Sequence, residues 1–167
     1  MATRTTTTVT INFPPADVYA AFANKAYWDH NTATLSPEPG EVHEFTADDN
    51  GAKAVLFEVM PTDMLPEAVS AMISQALKIK RVVNYTALEG TSTEGSYTAD
   101  VKGAPVDFEG EIALSGDDSS TTLTYNNVIT VDIPFMGPAI EPKVADAVGE
   151  LLANEAKLTE EWISSHS

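Results

Sequence analysis

The feature that most constrains this chain is a change of hydrophobic period close to residue 134. Four consecutive segments before it, 79–88, 94–102, 106–114 and 121–133, alternate apolar with polar residues, the pattern of a strand with one buried face. The breaks between them, Glu89-Gly90, Gly103-Ala104-Pro105 and Gly116-Asp117-Asp118, carry turn chemistry. The segments therefore read as an antiparallel meander. After Pro134 and Pro138 the spacing becomes three and four: Val144, Val148, Leu151, Leu152, Leu158 and Trp162 mark one stripe of a helix from about residue 142 to 165, roughly 35 Å long. A meander and a long amphipathic helix bury their apolar faces by packing on each other.

The first half of the chain fits the same plan. Residues 6–13 alternate around Val9, Ile11 and Phe13 and read as a strand. Pro14 and Pro15 end it and open a helix over 16–24, with Asp17 near its positive end and Val18, Tyr19 and Phe22 on one face. A second short helix is expected from residue 25 to about 31, carrying Tyr27 and Trp28, before Pro37, Pro39 and Gly40 turn the chain. Residues 41–47 and 53–60 read as a hairpin joined by Asp48-Asp49-Asn50-Gly51. An extra helix near 66–77 follows, from the stripe Leu65, Val69, Met72, Ile73, Ala76 and Leu77 with Pro66 at its start. The expected class is α+β: about seven antiparallel strands, strongly curved, wrapped around a long C-terminal helix. A curved sheet is not filled by one helix, so a cavity is expected between them.

Size and charge narrow the function. With 167 residues and 43% hydrophobic content, one core and one domain over 1–167 are expected. Twenty-five acidic against nine basic side chains give a net charge of −16, which repels phosphate backbones and anionic lipid surfaces; no nucleic-acid partner is expected. There is no cysteine, hence no disulfide, zinc–thiolate site or cysteine nucleophile. The N-terminal residues lack the apolar core of a secretory signal and no apolar run approaches a membrane span, so a cytoplasmic protein without stable membrane insertion is expected. Hydrolase elbows, phosphate-binding loops and dinucleotide fingerprints are absent. No cofactor is expected.

Alternation also assigns a cavity wall. Val106, Phe108, Gly110, Ile112 and Leu114 share one face of their strand, and Asp107, Glu109 and Glu111 the other, read as solvated because calcium needs converging oxygens. In the last strand Leu123, Tyr125, Asn127, Ile129, Val131 and Ile133 face inward. Phe57, Tyr85 and Tyr97 join this set, with Ile140, Val144, Val148, Leu151 and Leu152 from the helix. Core packing is the alternative for each; three phenols and Asn127 aimed at one volume are the few polar groups that a small-molecule pocket uses. Glu155 lies a turn beyond Leu151 and Leu152. It is the candidate general acid or base, with pairing to Lys80 or Arg81 as the alternative. His43 is read on one face with Phe45, and His30 and the tail residue His166 stand in no metal spacing. Phe135 and Met136, in an apolar loop, and the helix near 66–77 with Met64 and Met72 are candidates for a gate, or for a cap or homodimer contact. Lys78, Lys80 and Arg81 could meet a carboxylate head group or neutralise the acidic surface.

The opening TVTINFPPADVYAAFANKAYWDH and the closing IPFMGPAIEPKVADAVGELLANEAKLTEEWI resemble the first and last elements of the START/Bet v 1-like superfamily, the helix-grip group that includes polyketide cyclases and lipid-transport proteins. The helix near 66–77 and the Pro134, Gly137, Glu141 turn resemble an uncharacterised actinobacterial family within it. The resemblance implies a hydrophobic cavity between sheet and last helix and a small hydrophobic or amphipathic ligand. It does not imply one chemistry: a non-catalytic carrier or sensor, a cyclase, aromatase or dehydratase, and a co-chaperone-like interaction domain with a filled cavity remain distinct expectations.

Overall fold

A computed structural model describes residues 2–35, 40–60, 77–102, 106–132 and 137–166. Its elements run β1 (Ala2–Ile11), α1 (Pro15–Phe22), α2 (Lys25–Leu35), β2 (Glu41–Asp48), β3 (Gly51–Met60), β4 (Leu77–Thr86), β5 (Ser92–Lys102), β6 (Val106–Gly116), β7 (Thr121–Val131) and α3 (Gly137–His166). The seven strands form one antiparallel sheet in the order β1-β7-β6-β5-β4-β3-β2. The meander is as the alternation requires. β1 closes on β7 with Val9 opposite Leu123 and Ile11 opposite Thr121, and α3 packs across these two strands.

Local chemistry sets the ends of the elements. Pro15 stands at the first position of α1, where its missing N–H leaves no helical bond unmade. α2 runs one turn further than expected, to Leu35, because Tyr27, Trp28, Asn31 and Thr32 form a buried stripe at helical spacing. The β2–β3 turn is Asp49-Asn50: Asp48 already pairs with Gly51, and the Asp48 Oδ1 accepts the Asn50 N–H at 2.8 Å. Gly51 has φ 146° and a Cβ there would lie 2.0 Å from the Tyr85 carbonyl oxygen, so the turn needs glycine.

Two expectations about α3 are corrected. The helix begins at Gly137 rather than near Pro142, which lies inside it. A proline in the second turn removes only one helical bond, and buried Ile140 and Glu141 hold that turn down. Glu141 accepts from the Thr3 hydroxyl at 2.8 Å and from the Val131 N–H at 3.1 Å. At the other end His166 is not a frayed tail but stacks on Trp162, ring centroids 3.7 Å apart.

β2 carries a further correction. A bulge between Val42 and Glu44 shifts the register, so Val42 and Phe45, not His43 and Phe45, pack against the core. His43 is exposed and its ring meets Phe57 at 4.7 Å. The expected helix near 66–77 and the loop with Phe135 and Met136 lie outside the described residues, except Leu77, which begins β4.

Candidate ligand-binding site

The strand period that buries Ile79, Val83 and Tyr85 on β4 also buries the residue between them, Arg81, which is 5% exposed. The neighbouring strand β3 places Leu56 opposite Arg81, so Glu58, two residues on, shares the same face. A charge at such depth needs partners. Arg81 donates from Nε to Glu58 Oε1 at 2.8 Å, from Nη1 to Glu155 Oε2 at 2.6 Å and from Nη2 to Asn31 Oδ1 at 3.0 Å. Glu58 and Glu155 are 8% and 6% exposed. Burial would pull the Arg81 pKa down, but the carboxylates of Glu155 and Glu58 overcome it and hold the guanidinium above its ordinary value.

This cluster joins four elements, β3, β4, α2 and α3. Asn31 of α2 donates to Glu155 Oε2 at 3.1 Å and to the Tyr27 hydroxyl at 3.3 Å. Tyr27 and Thr159 hydroxyls share a 2.6 Å hydrogen bond, and Thr159 donates to the Glu155 carbonyl oxygen at 2.7 Å. The pairs Tyr27/Asn31 and Glu155/Thr159 are each four apart, so each places two polar groups on one face of its helix. Trp28 lies beside the cluster, its ring centroid 6.0 Å from the Arg81 guanidinium carbon.

Next to the charges lies a cavity lined by Arg81, Val83, Tyr85, Tyr97, Phe108, Ile112, Tyr125, Val148, Leu151, Leu152 and Glu155. Its free volume is about 10 Å³, roughly the room that the centre of one water molecule needs. The Tyr97 hydroxyl donates to Asn127 Oδ1 at 2.5 Å. Desolvation raises the pKa of all three phenols, so they stay neutral hydrogen-bonding groups.

The sheet and α3 thus bring Tyr85, Tyr97, Phe108, Tyr125, Val148, Leu151, Leu152 and Glu155 to one cavity. Asn127 stands behind Tyr97, its amide nitrogen donating to Thr7 at 3.2 Å. Ile140 and Val144 are buried in the core but do not line this cavity. Phe57 sits elsewhere: strand alternation turns it to the face opposite Leu56 and Glu58, half-buried against His43. Lys78 is exposed and Lys80 shares the outer face with Phe57, its register partner. Arg81 is turned inward: the expected alternative of pairing with Glu155 holds, at 2.6 Å, whereas its reading as a neutraliser of the acidic surface does not, because it is buried and bound by the chain's own carboxylates. Glu58, Asn31, Tyr27 and Thr159 were not expected at the site. A signal for Glu58 and Arg81 existed: each occupies an inward step of an otherwise apolar alternation.

Among the described residues no helix is long and apolar enough to cross a membrane. The profile of a family described as "Protein of unknown function (DUF2505)" matches residues 6–163. An uncharacterised protein of Mycobacterium tuberculosis (strain ATCC 25618 / H37Rv) is 24% identical over 161 residues, covering 90% of each chain. Among solved structures, a conserved protein from Geobacillus kaustophilus superposes with TM-score 0.63 at 13% identity, covering 98% of this chain and 96% of its own. Ara h 8.0201 gives 0.57 at 14% identity and 99% of both chains. A START superfamily protein from Mycobacterium smegmatis gives 0.51 at 10%, with 98% and 99% covered. The fold is the START/Bet v 1-like helix grip.

Proposed function

For this chain, which belongs to the DUF2505 family, we propose non-catalytic binding of a small hydrophobic or amphipathic ligand between the sheet and α3, as a carrier or sensor acting as one domain. The observation that carries this reading is the composition of the lining. Three phenols and a buried Arg81–Glu155 pair open on hydrocarbon from Val148, Leu151 and Leu152, the mixture of apolar wall and few oriented polar groups that holds small molecules. A core under selection for stability alone gains nothing from a buried ion pair, since hydrocarbon of similar volume is commonly as good or better. The free volume is about 10 Å³, so on this reading entry of a guest requires α3 and the sheet to separate. The strongly negative net charge supports a protein without a nucleic-acid partner.

Glu155 serves here as an anchor rather than a general base, because its Oε2 already accepts from Arg81 and Asn31. The small free volume favours one rival reading, an interaction domain whose interior is filled by its own side chains. Native mass spectrometry of the purified chain, followed by organic extraction, separates the two. A reproducible stoichiometric apolar compound is expected. An empty extract, together with no uptake of apolar fluorescent dyes, overturns the carrier reading in favour of the filled domain. Turnover of a polyketide-like substrate that Glu155→Gln abolishes without loss of affinity overturns both in favour of an enzyme.

A further inference from the structure

The polar end of the cavity is richer in acceptors than in free positive charge. A guanidinium has five N–H donors, and Arg81 engages three of them with Glu58, Glu155 and Asn31. Two carboxylates flank that one cation, so the formal charge of the cluster is −1 in an interior where all three groups are less than a tenth exposed. Low polarity lets such charges act at longer range than in water. Among the described residues every hydrogen bond to the Glu155 carboxylate falls on Oε2, leaving Oε1 as a further acceptor on a residue that lines the cavity. Tyr85, Tyr97 and Tyr125 line the same cavity, and their hydroxyls accept as well as donate. The nearest basic neighbours in sequence do not compensate: Lys80 faces the outer side beside Asp100, and Lys78 is exposed.

From this charge count we infer that the site selects a guest whose polar end is an uncharged or cationic hydrogen-bond donor, a hydroxyl or ammonium group on an apolar or aromatic body, and turns carboxylates away. The inference deepens the ligand-binding reading and rests on it. An entering anion meets two like charges against one opposite charge, whose two remaining N–H donors do not offset the net −1 of the cluster, whereas a hydroxyl or ammonium finds the second Glu155 oxygen. The phenols sense the same imbalance in part. After burial, Glu155 disfavours the phenolates of Tyr85 and Tyr125 more than Arg81 favours them; at Tyr97 that order is reversed.

Calorimetric titration of the whole chain with naphthylmethanol, naphthylmethylamine and naphthoate tests it, since the three share one ring system and differ in head group. The alcohol and the amine are expected to bind at least about tenfold tighter than the carboxylate. Glu155→Gln, which removes one of the two like charges, should narrow that gap by strengthening naphthoate. Glu58→Gln makes the same charge change at a residue outside the cavity wall and serves if the first variant loses its circular dichroism. Naphthoate binding as tightly as the alcohol, or a gap unchanged in a folded variant, overturns the inference while the carrier reading stands. Absence of binding by all three overturns both.

Discussion

On the inner face of β6 and β7 the buried side chains are Val106, Phe108, Ile112, Leu114, Leu123, Tyr125, Ile129 and Val131, with Thr121 and Asn127 as the polar exceptions. On the same face of β3 and β4, the same alternation buries Glu58 and Arg81 among Ala54, Leu56, Ile79 and Val83. The first region is held by removing hydrocarbon from water, at about 25 cal/mol per Å². The second holds charge at a desolvation cost that only its internal partners offset. One sheet therefore carries two kinds of interior, and each fails under a different challenge. The phenols fail when the solvent takes their protons, and the ion cluster when one partner is removed.

Alkali gives the largest expected effect. Tyr27, Tyr85, Tyr97 and Tyr125 are buried, and desolvation raises each pKa above the ordinary 10.0. The folded chain then keeps protons that the unfolded chain releases, so this stability is intact below pH 10 and falls as pH rises beyond it. Each phenol contributes about 1.4 kcal/mol per pH unit, so the four together contribute about 5.5 kcal/mol per pH unit. Phenolate absorbance followed with circular dichroism should show half-buried Tyr19 titrating in the folded chain. The other four should appear only as the fold is lost. Four phenolates appearing in a folded chain would show that the interior around these phenols admits new charge as readily as it holds the ion cluster.

Arg81→Met comes next. It leaves two buried carboxylates facing each other without a cation, at an expected loss of about 3–5 kcal/mol. The combination Arg81→Met, Glu58→Leu and Glu155→Leu should recover all of that loss and can exceed wild type by about 1–4 kcal/mol. Urea unfolding midpoints of the two variants measure the difference. If the triple replacement is as unstable as the single one, the charged half is a structural requirement, and the case for its role in ligand selection weakens.

These two regions were not equally legible in the sequence. Alternation assigned the inward set of β6 and β7 residue by residue, because each strand there pairs without a register shift. In β2 the bulge at His43 broke the phase, and an inserted residue leaves no mark in a pattern of hydrophobicity. In β3, Phe57 looked like a wall residue by its chemistry although its parity with Lys53 placed it outside. Arg81 and Glu58 stood at inward steps, but charge at such a step reads as the end of a pattern until a partner across the sheet is known. Glu155 was found from helical spacing; Asn31 and Tyr27 required the packing of α2 against α3, which no local pattern encodes.

Gly110 and Gly149 probe packing within the hydrocarbon half. A Cβ at Gly110 would lie 2.7 Å from a Tyr97 ring carbon and 2.8 Å from the Asn126 carbonyl oxygen. Gly110→Ala should therefore cost about 1–3 kcal/mol and loosen the Tyr97–Asn127 hydrogen bond. At Gly149, inside α3, a Cβ would meet only the Thr7 hydroxyl oxygen at 3.7 Å, an ordinary contact. Gly149→Ala should stabilise by about 0.5–1 kcal/mol through helix propensity. Thermal unfolding of the two variants should move in opposite directions, and a gain at Gly110 would mean that the phenol is not wedged where the strands place it.

The smallest effect lies on the other side of the same sheet, where charge is left in water. Asp107 of β6 stands directly opposite Asp100 of β5 and two residues from Glu109. Partial burial, then Asp100, then Glu109 raise its pKa above 3.8. A carboxyl raised in the folded state protonates there first, so stability is highest below the unfolded pKa and declines as pH rises through the folded one. Solvent screening keeps the cost small at so exposed a position. Asp107→Asn should stabilise at neutral pH by about 0.2–0.5 kcal/mol, flatten the decline between acid and neutral pH, and lose most of its effect in about 1 M salt, where the screening length is near 3 Å. The same salt should leave the Arg81→Met loss nearly intact, because ions do not enter the interior that holds Glu58 and Glu155. A salt response shared by both variants would mean that the inner cluster is wetter than its burial indicates, and the contrast between the two faces would narrow to one of degree.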